Sequence, residues 1–246
     1  MPFRVTLNAR LPRGAEVRES LGPAHRLACL LMEDADSPDH DDQDKVFTIS
    51  PPWVSRETSS VEFSLQILSD DLAIVEGVRR RLVALPSDEV NLGRHAPLID
   101  SVLEVSGVNW QQLADAIPRS VVRIETLSPV FFRRHGMTIP LPDPYLTITQ
   151  LARRWNQHVG DARLRISDEW VKKVAHGASI NSLNIRTQSE FAKQWKTGYV
   201  GEVSFATRSD DVGVQGLFST LFEFAEYSGI GSLTTFGFGA VQIVDD

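Results

Sequence analysis

The order in which two hydrophobic periods alternate along the chain constrains its fold more than any other feature. Residues 3–9 place Phe3, Val5, Leu7 and Ala9 between polar Arg4, Thr6 and Asn8, the period-two pattern of a strand with one buried face. After Pro23, Ala24, Leu27, Ala28 and Leu31 recur at helical spacing and predict a helix over about 23–33. Residues 46–50 read as a short strand stopped by Pro51-Pro52. Val61, Phe63, Leu65 and Ile67 alternate with Glu62, Ser64 and Gln66 as a third strand. Asp70 is placed to cap a helix whose Leu72, Val75, Val78 and Leu82 face the core, and Ile99, Ser101, Leu103 and Val105 lie in a last extended stretch. The order is strand, helix, strand, strand, helix, strand.

The second half repeats that order. Residues 120–127 form a strand, and Asp143-Pro144 is a cap-plus-first-turn signal for a helix carrying Ile148, Leu151, Ala152 and Trp155. Residues 199–207 alternate as a strand, Val214, Leu217, Leu221 and Phe224 mark another helix, and 236–244 close as the final strand. The halves share no close sequence identity, so the repeat is one of architecture. The expected fold class is α+β, two βαββαβ units in tandem, with domains 1–118 and 119–246.

Charge is distributed unevenly between these units. The net charge of −7 argues against a polyanionic partner only as an average. Residues 119–208 carry 14 Lys and Arg against 7 Asp and Glu, whereas 1–118 carry 11 against 19. A basic face can therefore exist on an acidic protein, and local field governs the binding of a polyanion. The single cysteine, Cys29, excludes an intrachain disulfide and a cysteine-cluster zinc site. No stretch approaches the ~20 apolar residues of a membrane span. The N-terminus lacks a signal-peptide core. A soluble, cytoplasmic protein is expected, with no metal and no cofactor; the acids Asp34, Asp36, Asp39, Asp41, Asp42 and Asp44 lack calcium-loop spacing.

The strongest local signal is residues 227–239, YSGIGSLTTFGFG. Gly229, Gly231, Gly237 and Gly239 bracket Ser232, Thr234 and Thr235, a density that permits close backbone approach and N–H nests for anions. It is neither a dinucleotide fingerprint, which needs strand before glycines before helix, nor a P-loop, which needs Gly-Lys-Ser/Thr. Unaided, the segment reads equally well as a plain helix-to-strand turn.

A glycine-rich loop of this form, between the last helix and last strand of a second ferredoxin-like domain, resembles the RAMP superfamily. Within it the chain is similar to the CRISPR-associated endoribonucleases that process precursor crRNA. The resemblance runs through LGPAHRLACLL and DHDDQDKVFTISPPW, TLSPVFFRRHG and IPLPDPYLTITQLARRWN, TGYVGEVSF and AEYSGIGSLTTFGFGAV, in that order. It implies tandem ferredoxin-like (RRM-like) domains that bind CRISPR repeat RNA and cleave it without a metal. The 2′-hydroxyl would attack the adjacent phosphate, leaving a 5′-hydroxyl and a 2′,3′-cyclic phosphate. Such chemistry needs a base, an acid and a cation near the phosphorane.

His40 and Lys45 match the family positions of a histidine and a lysine before the Phe-Thr strand, with His25 on the first helix as the competing proton carrier. His40 lies in a run, 33–44, of seven acids and no base, a field that favours the protonated imidazole and hence the role of acid. Where some family members carry a tyrosine on the first helix, this chain has Leu27-Ala28-Cys29. Where many carry a basic residue in the glycine-rich loop, it has Ser232-Leu233, so the loop is left with backbone N–H and hydroxyl donors. Arg133 and Arg134, Lys172 and Lys173, and Lys193 and Lys196, with Trp170 and Trp195 nearby, suit phosphate contact and base stacking. Other CRISPR effector subunits are further candidate partners, and a monomer or homodimer is expected. A non-catalytic RAMP subunit that holds guide RNA in an effector complex remains the alternative reading.

Overall fold

The computed structural model describes residues 1–10, 21–32, 45–55, 60–84 and 98–244. Eleven strands and six α-helices follow among these residues: β1 (Pro2–Arg10), α1 (Leu21–Met32), β2 (Phe47–Ile49), β3 (Trp53–Ser55), β4 (Ser60–Leu68), α2 (Leu72–Ala84), β5 (Leu98–Gly107), α3 (Trp110–Ala114), β6 (Val121–Thr126), β7 (Phe132–Arg134), β8 (Met137–Ile139), α4 (Pro144–His158), α5 (Asp168–Gly177), β9 (Ala178–Phe191), β10 (Trp195–Thr207), α6 (Val212–Ser228) and β11 (Val241–Ile243). The first sheet runs β2-β4-β1-β5 with β3 also on β4, and the second runs β11-β6-β10-β9. In both, the first and third strands of a βαββαβ unit are central and the second and fourth are edges. This is the tandem ferredoxin-like arrangement.

Local chemistry explains most of the elements. Asp143 caps α4 by accepting from Leu146 N at 2.9 Å with Pro144 behind it, and Ile148, Leu151, Ala152 and Trp155 form the buried stripe. Three details depart from the sequence pattern. Asp71, not Asp70, caps α2, accepting from Ala73 N at 2.8 Å, while Asp70 pairs with the Met1 ammonium. Pro51-Pro52 interrupts the edge strand without ending it, because β3 resumes the pairing with β4 at Trp53. The last strand is shorter than 236–244: Thr234–Phe236 form a 3-10 turn, and Gly237 and Gly239 have φ of 88° and 72°, outside the extended range.

Two cores result. Helices α1 and α2 cover one face of the first sheet over Phe3, Val5, Leu7, Phe63, Leu65 and Ile67. The second core centres on Trp110, Trp155 and Phe224, whose rings meet pairwise at 5.1–5.6 Å. Trp110 and Leu113 of α3 belong to it although they precede residue 118.

The other face of the first sheet is polar, and it meets the end of α6. A helix leaves its last carbonyls unpaired unless something supplies donors. Here Arg4 donates to the Glu226 carbonyl at 3.1 Å and Thr48 to the Tyr227 carbonyl at 2.6 Å. Arg154, from α4, donates to the carbonyls of Ser228, Gly229 and Gly231 at 2.7, 3.2 and 3.0 Å. Two guanidiniums at this terminus also suit the negative end of the helix dipole. Arg4 further stacks 5.3 Å over the Tyr227 ring, and buried Gln66, beside Thr48 in register, donates to Ser50 Oγ at 2.8 Å.

Arg154→Ala is expected to lower unfolding stability by about 2–4 kcal/mol, since it removes the donor to three carbonyls at once. Arg153→Ala, at an exposed neighbour, is expected to stay within about 0.5 kcal/mol. Urea denaturation midpoints at unchanged slope would measure both.

Candidate RNA-processing site

Helix α1 carries His25 to the glycine-rich loop. His25 Nδ1 lies 2.7 Å from the Thr235 carbonyl, and its ring stacks on Phe236 with centroids 3.6 Å apart and planes 20° apart. One turn on, Cys29 Sγ lies 3.6 Å from His25 Nε2. Lys45, just before β2, brings Nζ to 4.0 Å from that sulfur and 5.7 Å from the Phe47 ring centroid. Leu21, Phe131 and Phe238 form a small core beneath, joined by Leu233 and Phe236, so the start of α1 and the loop are packed as one unit. His40 falls within 33–44 and lies outside the described residues.

The loop uses much of its own hydrogen-bonding capacity. Ile230 N donates to the Gly239 carbonyl at 2.8 Å, Ser232 N to Phe131 O at 2.8 Å, and Gly239 N to Pro129 O at 3.0 Å. Gly237 N and Phe236 N close the 3-10 turn, and Ala240 N donates to Ser128 Oγ at 2.9 Å. All four bracketing glycines have positive φ, between 66° and 88°, and Leu233 joins them at 61°. Gly229, Gly231, Thr234, Gly237 and Gly239 are buried, while Ser232 and Thr235 are half-exposed. The glycines therefore serve the loop's own fold, and the surface it offers consists of Ser232, Leu233, Thr235 and Phe236.

The segment that clamps the loop, residues 128–131, runs into a hairpin of β7 and β8. Arg134 pairs with Met137 across a two-residue turn, His135-Gly136, with φ of 51° and 77°. Two positive φ values mark the tight primed turn that suits strand twist. Arg133 and Arg134 are both exposed, on opposite faces of β7. The Val130–Tyr199 bridge ties this region to the first residues of β10, near Lys196 and the exposed Trp195. Lys193 sits in the β9–β10 turn, where Phe191 and Trp195 meet edge to face at 5.6 Å. The glycine-rich loop, the two arginines, Lys193 and Lys196 thus share one end of the second unit.

Lys172 and Lys173 lie elsewhere. They are on α5, which leads into the opposite end of the 14-residue β9. Lys173 donates to Asp211 at 2.6 Å and lies 4.8 Å over the Trp170 ring. That hydrogen bond, followed by one from Gly213 N, holds the Asp211 carboxyl below the usual carboxylate range, and Asp211 caps α6.

Two features have no sequence signal. Arg154 is one of many exposed-looking arginines until its carbonyl partners, more than 70 residues away, are seen. A cleft of about 340 Å³ lies between the units, lined by Leu21 and Pro51 on one side and by Glu125, Arg186, Gln188 and Glu190 on the other. Its β9 wall is polar from Arg186 to Glu190 and so lacks the period-two apolar pattern there, although Ala178, Ile180 and Ile185 earlier in the strand pack half-buried on the second core. Among the described residues, no three His, Cys, Asp or Glu side chains converge as a metal site, and no helix is long and apolar enough to cross a membrane.

Gly239→Ala is expected to cost about 3 kcal/mol or more, because a Cβ there runs into the Ile230 carbonyl. Gly136→Ala, at similar φ but with open space around it, is expected to cost only about 1–2 kcal/mol. Thermal melts of the two variants compare a steric demand with a purely conformational one.

Comparison with known proteins agrees with this fold. Residues 124–241 match the family model of the CRISPR-associated endoribonuclease Cas6. Thermus thermophilus Cas6, solved as a product complex, superposes with TM-score 0.82 at 20% identity over 99% of this chain and 100% of that one. A second Cas6 product complex gives 0.81 at 24% identity, over 99% and 100%. A Cas6-related protein from Pyrococcus furiosus gives 0.61 at 14%, with all of both chains covered. No curated protein sequence matches.

Proposed function

We propose that this chain, which carries the Cas6 family sequence over 124–241 and the Cas6 fold throughout, is an endoribonuclease that binds CRISPR repeat RNA and cuts precursor crRNA. The observation that carries the proposal is the meeting of His25 with the glycine-rich loop, Lys45 standing one sulfur away. A proton carrier, a cation and a basic end formed by Arg133, Arg134, Lys193 and Lys196 are what RNA transesterification requires.

In the proposed reaction one base takes the proton of the 2′-hydroxyl, and the 2′-oxygen bonds to the adjacent phosphorus. The bond from phosphorus to the 5′-oxygen breaks, and an acid protonates that oxygen. The products are a 2′,3′-cyclic phosphate and a 5′-hydroxyl. His25 is assigned as base, Lys45 as the cation facing the phosphorane, and His40, in its acidic run, as the acid. The nucleophile belongs to the substrate, so no metal is needed to generate it. The partition at residue 118 would then place the proton carriers in the first unit and most of the RNA-binding face in the second. Solved complexes of Cas6 with product and with a substrate mimic support the same substrate class.

Repeat RNA lacking the 2′-hydroxyl next to the scissile phosphate is expected to bind but not to be cut, and cleavage of the natural repeat is expected to persist in EDTA. Cutting of the deoxy substrate would sink the mechanism. Binding without any cutting would turn the reading toward a guide-RNA-holding subunit.

Reversing Arg133 and Arg134 to Glu is expected to weaken binding and to flatten its salt dependence, by roughly one unit of log–log slope for each phosphate that is no longer neutralised. Reversing Lys172 and Lys173 is expected to do less, since both lie at the far end of β9. Titrations by gel shift at several salt concentrations would compare the two pairs.

A further inference from the structure

From Gly229 to Gly239 the glycine-rich loop contains no ionisable side chain, yet among the described residues it makes the closest polar contact of the proposed proton carrier. We propose that the loop acts on the chemistry through its main chain: Thr235 and Phe236 are positioning residues that hold His25 as the Nδ1–H tautomer and leave Nε2 as the proton acceptor. The inference rests on the assignment of His25 above and concerns how that histidine is made competent.

The argument begins with donor and acceptor identity. A carbonyl oxygen can only accept, so a 2.7 Å contact from His25 Nδ1 to the Thr235 carbonyl is a hydrogen bond only when Nδ1 carries the hydrogen. A neutral imidazole with Nδ1 protonated has its lone pair on Nε2. The opposite tautomer would set two lone pairs against each other at that distance. The Phe236 ring, 3.6 Å away and nearly parallel, restrains rotation of the imidazole about its side-chain torsions. Cys29 Sγ lies beside both ring nitrogens, 3.6 Å from Nε2 and 3.9 Å from Nδ1, and with Nδ1 committed to the carbonyl its weakly donating thiol is left to Nε2, where a stronger hydroxyl donor can compete. Among the described residues, the titratable groups on this side of the ring are Cys29 and Lys45.

The same contact helps after proton transfer. When Nε2 accepts the 2′-hydroxyl proton, the ring becomes imidazolium and the Nδ1–H bond to the carbonyl becomes charge-assisted. A neutral carbonyl orients the ring without holding it permanently charged, as a carboxylate partner would tend to do. The loop's internal hydrogen bonds keep this carbonyl in place. Gly237 N donates to Thr234 O at 3.1 Å and Phe236 N to Leu233 O at 2.9 Å, which fixes the turn on which Thr235 and Phe236 sit.

The test reads the tautomer directly. Protein labelled with 15N-histidine, above the histidine titration range and without RNA, is expected to give a protonated, pyrrole-type Nδ1 and an unprotonated, pyridine-type Nε2 for His25. The resonance is assigned by its loss in His25→Gln. A predominantly Nε2–H signal, or the averaged shifts of a freely exchanging imidazole, would overturn the inference. Phe236→Leu is expected to lower single-turnover cleavage about tenfold with RNA affinity within about threefold, and Phe236→Tyr to restore it. A parallel loss of affinity and rate, or no restoration by tyrosine, would also count against it. The spectrum needs no cleavage, so a chain with the expected tautomer and no nuclease activity overturns the functional assignment alone.

Discussion

The last turn of α6 is where the two units become one molecule. Its carbonyls need donors, and no single neighbour supplies them. Arg4 comes from β1, Thr48 from β2 and Arg154 from α4, so both units contribute to one helix end. Burial alone would hold the units together with little directional preference, because apolar contact is not directional. Hydrogen bonds to fixed carbonyls set an angle and a register. The glycine-rich loop leaves α6 from that anchored end, and its position against α1 follows.

From that position comes the site. The loop returns over residues 128–131 before β11 pairs with β6, and this detour brings Thr235 and Phe236 against His25. The backbone excursion at Gly237 and Gly239 is thus the geometric link between a stability requirement and the proposed site of proton transfer. The cationic hairpin lies next to it for a related reason, since Phe131 and Pro129 accept the loop's N–H groups and Arg133 follows directly.

Local signals make the architecture legible. The Asp143-Pro144 cap, the alternation of β1 and β4 and the stripe of α6 each depend on neighbours within a few residues, which a sequence displays. Strand β9 is not legible, because its few core-facing residues, Ala178, Ile180 and Ile185, fall out of step across a register shift and the polar run from Arg186 to Glu190 has no apolar alternation to read. The glycines are visible as a group, but their role depends on acceptors about 100 residues earlier. An open N–H nest and a loop tied down by Pro129 and Phe131 have the same sequence. His25 and Cys29 are readable as an i, i+4 pair, whereas the contact that orients the ring spans 210 residues. The lysine pair on α5 looks equivalent to that near β10, and only the length of β9 separates them.

Nearly every bond that seats the glycine-rich loop and the end of α6 terminates on a main-chain carbonyl. A carbonyl is offered by any residue, so these contacts demand a path of the chain and not a particular side chain along it. Ser232 and Thr235 can be exchanged for other residues without removing a single one of the loop's anchoring main-chain acceptors. The rigid frame and the exposed side chains are therefore written in separable parts of the same thirteen residues. Such a design lets exposed side chains of the loop change while His25 stays held in one orientation.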